Sequence, residues 1–181
     1  MSGRFLPRRH NQGVRWLGWA GMSLLLAGCT LQRDVVQAPP SGQLGQSAPA
    51  LTGVSLDGQA MRVALKGHRT VVVFWASWCG PCRHEQPALN RLSAAYAGRG
   101  VQLVGVEILD RDRAGASAFE RELDVPYPSF YDPDGKLAAA YEVDYPPGKV
   151  LVDQRGIIVA RYPGEAAEGQ LRALIEKKLL A

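Results

Sequence analysis

Cysteine is scarce in this chain, with three residues among 181. A small exported domain that relies on disulfides for its stability needs several pairs, so this sequence is not a disulfide scaffold. Cys79 and Cys82 form its one C-x-x-C pair. Zinc usually takes four ligands from two such pairs, and haem attachment needs a histidine after the second cysteine, where this chain has Arg83. The pair is therefore expected to be a redox dithiol, with a metal site or a structural disulfide as the less favoured interpretations.

Apolar runs long enough to span a membrane are also missing, since a spanning helix needs about 20 residues. Residues 16–27 form a shorter apolar stretch, preceded by arginines and by no acidic residue. This arrangement predicts a secretory signal peptide over residues 1–28, with an uncleaved signal anchor as the alternative. The segment Leu26-Ala27-Gly28-Cys29 resembles a bacterial lipobox. The resemblance implies that Cys29 is lipidated and becomes the first mature residue.

Neither sign of charge is in excess once this leader is set aside. The whole chain has 21 Lys+Arg and 17 Asp+Glu, and its pI is about 9.1. Four of the arginines lie in the leader, which leaves 17 basic and 17 acidic residues in the rest of the chain. The basic pI is thus a property of the leader, and the mature chain offers no electrostatic case for binding nucleic acid.

Composition divides the mature chain into two parts. Residues 29–46 are rich in Gln, Pro, Gly and Ser, which predicts a flexible tether before one globular domain over residues 47–181. In that domain apolar runs alternate with segments of helical periodicity, and a hairpin turn is expected at Asp57-Gly58. The pattern predicts an α/β layered sheet with mixed strand directions. We expect strands at residues 51–56, 61–65, 70–75, 102–108, 128–131, 149–152 and 157–161, and helices at 79–96, 114–123, 136–141 and 166–180.

The C-x-x-C pair stands between the buried strand 70–75 and the helix 79–96. Unpaired N–H groups and the dipole at a helix start favour an anion, which lowers the pKa of the first thiol. Cys79 is therefore the expected nucleophilic thiolate. Pro81 is compatible with the first helical turn because an N–H there would have no partner. Cys82, one turn further along and more buried, is the expected resolving thiol.

Residues 74–82 resemble the active-site segment of thioredoxins, and Pro87 matches the helix proline of that family. Over residues 47–180 the chain is most similar to the membrane-anchored thiol:disulfide oxidoreductases of the TlpA, ResA and DsbE type. The resemblance implies an α/β thioredoxin-like fold, with a central mixed β-sheet flanked by helices, an N-terminal hairpin and a central βα insertion. It implies no cofactor beyond the dithiol itself.

That family also implies a loop with a cis-proline, which faces the dithiol and binds the backbone of the client protein. The matching residue here is Pro147, with a plain Pro-Pro-Gly turn as the alternative. Two departures predict unusual client binding, because Pro146 has no N–H to donate and Gly148-Lys149 stands where relatives usually have Thr-Thr. Trp78 is expected to form a flat surface beside Cys79. The predicted client-binding residues are therefore Trp78, Pro146 and Pro147.

Glu85 is the predicted proton carrier for Cys82. Steps of three and four residues place it on the apolar stripe of the helix, where burial would raise the pKa of its carboxyl and suit it to proton transfer. The alternative is a solvated glutamate near the helix start. The position matches a glutamate of the ResA and DsbE group, whereas the strand aspartate of thioredoxin is replaced by Val73. Glu107, at the end of another apolar strand, is expected to be solvated or to line the site.

Together these features predict an enzyme that reduces disulfides in exported proteins from a lipid anchor on the extracytoplasmic face of a bacterial membrane. Cys79 attacks the client's disulfide, Cys82 resolves the mixed disulfide, and Glu85 assists proton transfer. The resemblance implies a membrane electron donor of the DsbD or CcdA type and apocytochrome c as one client, and we expect a monomer. The alternatives are an oxidase that forms disulfides in secreted proteins and a lipoprotein that uses its thiols as soft metal ligands.

Overall fold

The computed structural model describes residues 42–181 of the chain. The predicted signal peptide, Cys29 and most of the predicted tether lie outside the described residues. Within residues 42–181, no helix is long and apolar enough to cross a membrane. Along the chain the elements are β1 (Leu51–Ser55), β2 (Ala60–Val63), β3 (Arg69–Trp75), α1 (Gly80–Ala97), β4 (Val101–Ile108), α2 (Arg113–Glu122), β5 (Ser129–Asp132), α3 (Lys136–Ala140), β6 (Gly148–Val152), β7 (Ile158–Pro163), α4 (Glu168–Ile175) and a terminal π-helical turn (Glu176–Leu180).

The strands form one seven-stranded sheet in the order β2-β1-β5-β4-β3-β6-β7. The three inner strands β5, β4 and β3 are parallel, whereas β1 and β2 on one side and β6 and β7 on the other run antiparallel to their neighbours. The predicted mixed α/β sheet with an N-terminal hairpin is confirmed. β3 lies inside the sheet with its residues 70–75 buried, as a run that is apolar on both faces requires.

Helices cover both faces of this sheet. Val71 and Val73 of β3 belong to one apolar cluster with residues of α1 and α4. Val72 and Phe74 lie on the other face, in a cluster that includes residues of α3. Because side chains alternate along a strand, one continuous apolar run fills both layers and fixes β3 between them.

The end of the chain differs from the expected continuous α-helix over residues 166–180. The α-helix covers only residues 168–175, and the last turn is π-helical. The carbonyl of Leu179 in that turn accepts a hydrogen bond from Arg69 Nε, 2.6 Å away at the start of β3. The final turn is therefore bound to the sheet as well as to its own helix.

An N-terminal strip (residues 42–47), most of which the composition assigns to the tether, lies beside the start of β7. The N–H of Gly45 donates to the carbonyl of Ile158 (2.8 Å), and the N–H of Ile158 donates to the carbonyl of Gln46 (3.0 Å). These bonds use backbone groups on the free edge of β7. The predicted boundary at residue 47 thus falls inside a segment that is already paired with the domain.

Arg161 of β7 fixes the beginning of this strip. Its guanidinium donates to the carbonyls of Gly42, Tyr141 and Glu142, the last two at 2.8 Å and 2.7 Å. Gly42 has no room for a side chain, because a Cβ there would lie 2.4 Å from the carbonyl of Tyr141. The N-terminal strip is therefore attached next to the segment that leads from α3 into the Pro146–Pro147 loop.

Candidate active site

The dithiol lies where the inner strand β3 meets α1. Cys79 caps the helix, and the N–H of Cys82 donates to the Cys79 Sγ at 3.1 Å. The two cysteines form a disulfide with an S–S distance of 2.02 Å. Both are almost wholly buried, in a cluster with Trp75 of β3 and Phe119 of α2. The predicted strand–dithiol–helix arrangement is confirmed.

The helix start favours a negative charge on the Cys79 sulfur. The first N–H groups of a helix have no partner within the helix, and that of Cys82 already points at Sγ. The positive end of the helix dipole acts in the same direction, and the first turn of α1 carries no acidic side chain to oppose it. In the reduced protein Cys79 is therefore the thiol whose anion the fold stabilises.

The segment between β3 and the dithiol is held by the loop that follows β4. Asp110 accepts hydrogen bonds from the N–H (3.0 Å) and the hydroxyl (2.7 Å) of Ser77. Trp78 is 57% exposed, and its Nε1 donates to the carbonyl of Leu109 at 3.2 Å. The indole is thus a fixed, exposed surface next to Cys79, which fits the role predicted for Trp78.

The peptide bond between Pro146 and Pro147 is cis, as the resemblance implied. Gly148, the first residue of β6, pairs with Phe74 near the end of β3. Since the dithiol follows β3, this register places the cis-proline loop and the dithiol at the same end of the neighbouring strands β3 and β6.

An open groove lies beside the cis-proline loop, between the start of β6 and the end of β7. The lining of this client groove includes Tyr145 and Pro146 of the loop, Tyr162 and Pro163 of β7, and Lys149 of β6, whose side chain is itself buried. Tyr145 is 75% exposed. Exposed rings around a shallow cleft suit contact with an extended peptide.

Glu85 is buried on the inner face of α1, together with Cys82, so its core-facing position is confirmed. Its Oε2 accepts a hydrogen bond from the N–H of Ala166 (2.9 Å) and lies 2.5 Å from Lys149 Nζ. Burial raises the pKa of Glu85 above its ordinary value, and the Lys149 ammonium opposes that rise. The carboxylate is thus a partner in an ion pair, which the sequence analysis did not foresee.

The sequence marks Lys149 only as a departure from the Thr-Thr expected from the family resemblance, yet in the structure it is among the most deeply buried polar residues described, at 1% exposure. Its Nζ also donates to the carbonyl of Gly164 (2.8 Å) and lies over the ring of Tyr162, 5.8 Å from the centroid. Burial lowers the pKa of Lys149, and Glu85 opposes that fall. A signal was present in the sequence, because Lys149 alternates with Leu151, whose side chain lies in the cluster under α1 and α4.

Glu107 of β4 provides a second buried carboxyl near the end of β3 from which the dithiol follows. It is 0% exposed, and its neighbour in the register of the parallel pair is Trp75, the last residue of β3. Its Oε1 accepts from the N–H of Asp110 (3.0 Å), whereas Oε2 has no hydrogen-bond partner within residues 42–181. Burial, followed by the adjacent Asp110 carboxylate, raises the pKa of Glu107 to about 8. The protonated form of Glu107 therefore predominates at neutral pH.

A metal site was one of the less favoured interpretations of the cysteine pair. Among residues 42–181 there is no group of three or more His, Cys, Asp or Glu side chains placed to hold a metal ion.

The sequence matches the Redoxin family model over residues 43–175. It is 28% identical over 151 residues to the thiol-disulfide oxidoreductase ResA of Bacillus cereus, a match that covers 83% of this chain and 87% of that protein. It is 32% identical over 164 residues to the thiol:disulfide interchange protein DsbE homolog of Paracoccus denitrificans, with 89% and 87% covered. A solved structure of a DsbF homologue from Corynebacterium diphtheriae superposes with a TM-score of 0.66 and 26% identity, over 75% of this chain and 89% of that chain. The thioredoxin-like fold and the similarity to the ResA and DsbE type are thereby confirmed.

Proposed function

Because the chain belongs to the redoxin family and is a thioredoxin-like thiol:disulfide oxidoreductase, we propose that it reduces disulfides in exported proteins. The observation that carries the proposal is the Cys79–Cys82 pair at the start of α1, with the Cys82 N–H bound to the Cys79 sulfur. The residues between the cysteines, Gly80-Pro81, are those of thioredoxin, which lies at the reducing end of the potential scale at about −270 mV.

The proposed reaction moves two electrons from the enzyme dithiol to the client's disulfide. The Cys79 thiolate attacks one client sulfur, a mixed disulfide forms, and the other client sulfur leaves as a thiolate. Cys82 then gives up its proton and attacks the Cys79 sulfur. This second step releases the remaining client thiolate and leaves the Cys79–Cys82 disulfide, which is the form present in the structure. A further dithiol must reduce that disulfide before the next cycle.

Glu85 is the proposed acceptor of the Cys82 proton. It follows Cys82 by three residues on the same buried face of α1, a spacing that makes the two side chains neighbours on the helix. The adjacent His84 is a poor candidate, since its side chain is exposed and bound to Glu165.

The client's chain is proposed to lie across Trp78 and the cis-proline loop. Pro146 has no N–H, so the backbone donor that would pair with a bound strand is missing at this position. Contact with the exposed rings of Trp78 and Tyr145 is then the main source of affinity. We therefore expect a preference for clients with apolar residues beside the cysteine.

The proposed place of action is the outer face of a bacterial membrane, with Cys29 as the lipid anchor. The leader of residues 1–28 and its lipobox-like end support this assignment. A membrane thiol donor of the DsbD or CcdA type would reduce the dithiol again. Apocytochrome c, whose haem-binding cysteines must be reduced before haem attachment, is one proposed client.

Trapping of clients tests the exchange mechanism. Cys82→Ser leaves the nucleophile but removes the resolving thiol, so mixed disulfides with clients should accumulate on Cys79. Adducts should appear on a non-reducing gel of envelope proteins and vanish after treatment with dithiothreitol. The matched control is the double variant C79S/C82S, which should form none. A Cys82→Ser protein that yields no adducts would contradict the mechanism.

The direction of electron flow is tested by the redox state of the pair in growing cells. A reductase should hold Cys79 and Cys82 mainly as the dithiol, which alkylation after rapid acid quenching would reveal as a mass shift. A pair that is fully oxidised at steady state would favour the oxidase instead. Tight, stoichiometric metal binding by the dithiol at physiological thiol levels would favour the metal-binding lipoprotein.

A further inference from the structure

A buried ion pair connects the helix of the dithiol to the strand that follows the cis-proline loop. Lys149 is the second residue after Pro147, and its Nζ lies 2.5 Å from Glu85 Oε2. The two side chains have exposures of 0% and 2%. Removing two charges from water is unfavourable compared with burying apolar groups of similar size, so stability alone does not account for this pair.

Both ends of the pair are held by backbone groups. Lys149 Nζ donates to the carbonyl of Gly164 (2.8 Å), and the N–H of Ala166 donates to Glu85 Oε2 (2.9 Å). The ammonium and this N–H thus bind the same carboxylate oxygen. Oε2 is thereby fixed, and Oε1 is the oxygen to which a proton can be transferred without breaking these contacts.

We propose that Lys149 is a positioning residue for the resolving step: it holds the Glu85 carboxylate ready for the Cys82 proton and ties it to the client groove. Lys149 lies on the strand that begins directly after the cis-proline loop and lines that groove, and its own side chain is buried beneath the strand against Glu85. The inference rests on the proposed function, since it requires Glu85 to accept the Cys82 proton. A client that binds at the loop therefore lies next to β6, and Lys149 is the first residue of β6 whose side chain points inward and binds Glu85.

The charge of Lys149 explains how it acts on proton transfer. The ammonium lowers the pKa of Glu85 against the rise that burial causes, so its removal should raise that pKa further and leave a larger fraction of the carboxyl protonated at any given pH. A protonated carboxyl cannot take up the Cys82 proton. The other ionisable groups around the pair are Cys82 and His84 on α1, Tyr127 before β5, Tyr162 on β7, and Glu165 before α4, whose charge raises the Glu85 pKa.

Reaction of the reduced protein with the aromatic disulfide DTNB separates the two steps. Attack by Cys79 releases a first coloured thiolate, and attack by Cys82 on the mixed disulfide releases a second. Stopped-flow absorbance then gives a rate for each phase, and both are measured as a function of pH. The variants are Lys149→Met, Lys149→Arg, Glu85→Gln and the double variant E85Q/K149M. Lys136→Met serves as the control, because that lysine is exposed and pairs only with Asp134.

In the Lys149→Met protein we expect the second phase to slow about tenfold to a hundredfold at neutral pH, with the first phase within about twofold of wild type. The acid limb of the second phase should move to higher pH, because Glu85 then loses its proton at higher pH. Lys149→Arg should restore part of the rate, since it keeps the charge. The double variant should be as slow as Glu85→Gln and no slower, because both changes remove the same function.

Three results would overturn the inference. A Lys149→Met protein with the wild-type pH profile in its second phase, beside a slow Glu85→Gln protein, would refute the role of Lys149 and leave the proposed function intact. A Glu85→Gln protein with a wild-type second phase would refute both. A double variant slower than Glu85→Gln by the full Lys149→Met factor would show that Lys149 acts elsewhere. If Lys149→Met does not fold, Lys149→Gln takes its place in the same comparisons, since it removes the charge but keeps an amide that can donate to the carbonyl of Gly164.

Discussion

Glu107 should make the folded protein less stable as the pH rises, and Glu107→Gln should abolish that loss. The pKa of Glu107 is raised from 4.5 to about 8 in the folded protein, by burial and then by Asp110. An acid whose pKa is raised by folding holds a proton that it releases on unfolding. The unfolded state therefore binds fewer protons between these two values, and stability falls as the pH rises from about 4.5 to about 8. Glutamine imitates the protonated carboxyl and has no proton to lose.

The size of the effect follows from the same shift. The rise in the Glu107 pKa from 4.5 to about 8 corresponds to a loss of about 5 kcal/mol in the free energy of unfolding, at about 1.36 kcal/mol per pKa unit, and this is the upper limit. We expect roughly 2–3 kcal/mol, because an ionised buried carboxylate draws in water and its surroundings rearrange. At about pH 5 the wild-type and Glu107→Gln proteins should agree within about 1 kcal/mol. At about pH 8.5 the glutamine variant should be the more stable by the expected amount.

Urea denaturation of the oxidised protein, followed by far-ultraviolet circular dichroism, measures both free energies of unfolding. The disulfide keeps Cys79 and Cys82 from titrating during the experiment. Glu122→Gln is the matched control, since Glu122 is exposed and paired with Arg83 at the surface. A difference between wild type and Glu107→Gln that is equal at both pH values would refute the argument. Glu107 would then be ionised in the folded protein at both pH values, as it is in the unfolded chain.

Two further predictions concern packing and hydrogen bonding. Gly105→Ala should lower the free energy of unfolding by about 1–3 kcal/mol, because the added Cβ would lie 2.2 Å from Ser129 Oγ and 2.8 Å from Trp75 Nε1. The control is Gly169→Ala, in a helix with open space around it, which should raise the free energy of unfolding by about 0.5–1 kcal/mol. Equal effects of the two substitutions in urea denaturation would contradict the argument. The second prediction concerns hydrogen bonds of the N-terminal strip. Arg161→Met should speed amide hydrogen exchange in the strip about tenfold or more, because the guanidinium hydrogen bonds that fix its start are lost. Unchanged exchange at Gly45 would show that the guanidinium does not hold the strip.

The parts of the fold that follow from local patterns could be predicted. The apolar run of β3 indicated a strand buried on both faces, and helical periodicity put Glu85 on the same inner face as Cys82. The cis bond at Pro147 came from the resemblance rather than from the pattern, which also allowed an ordinary turn. The buried strand and the inner face of the helix depend only on residues close to one another along the chain.

The partner of Glu85 could not be predicted in the same way. Lys149 is 64 positions away along the chain, and a lysine after Pro-Pro-Gly is normally solvated. Its burial depends on two facts that only the fold supplies: β6 lies next to β3, and α1 crosses the same face of the sheet. The alternation of Lys149 with Leu151 predicts on which face of the sheet the lysine side chain lies, but it does not predict that a carboxylate lies there as its partner.

The N-terminal strip was missed for a related reason. Its composition is that of a linker, and its binding to β7 uses backbone groups, which composition does not report. Glu107 shows the same limit, since a charge at a strand end is usually solvated. Here the loop after β4 folds back, and the N–H of Asp110 binds the Glu107 carboxyl.

The attachment of the strip by Arg161 limits the length of chain that would link the domain to the lipid anchor proposed at Cys29. Thirteen peptide units join Cys29 to Gly42, and a fully extended chain of that length reaches about 45 Å. With Cys29 lipidated as proposed, this linker would keep the dithiol close to the bilayer, where it would meet proteins emerging from the membrane more often than proteins already released. This linker also joins the domain on the side where Tyr141 leads into the Pro146–Pro147 loop. Under that proposal the domain would be held on the side of the loop proposed to receive its clients.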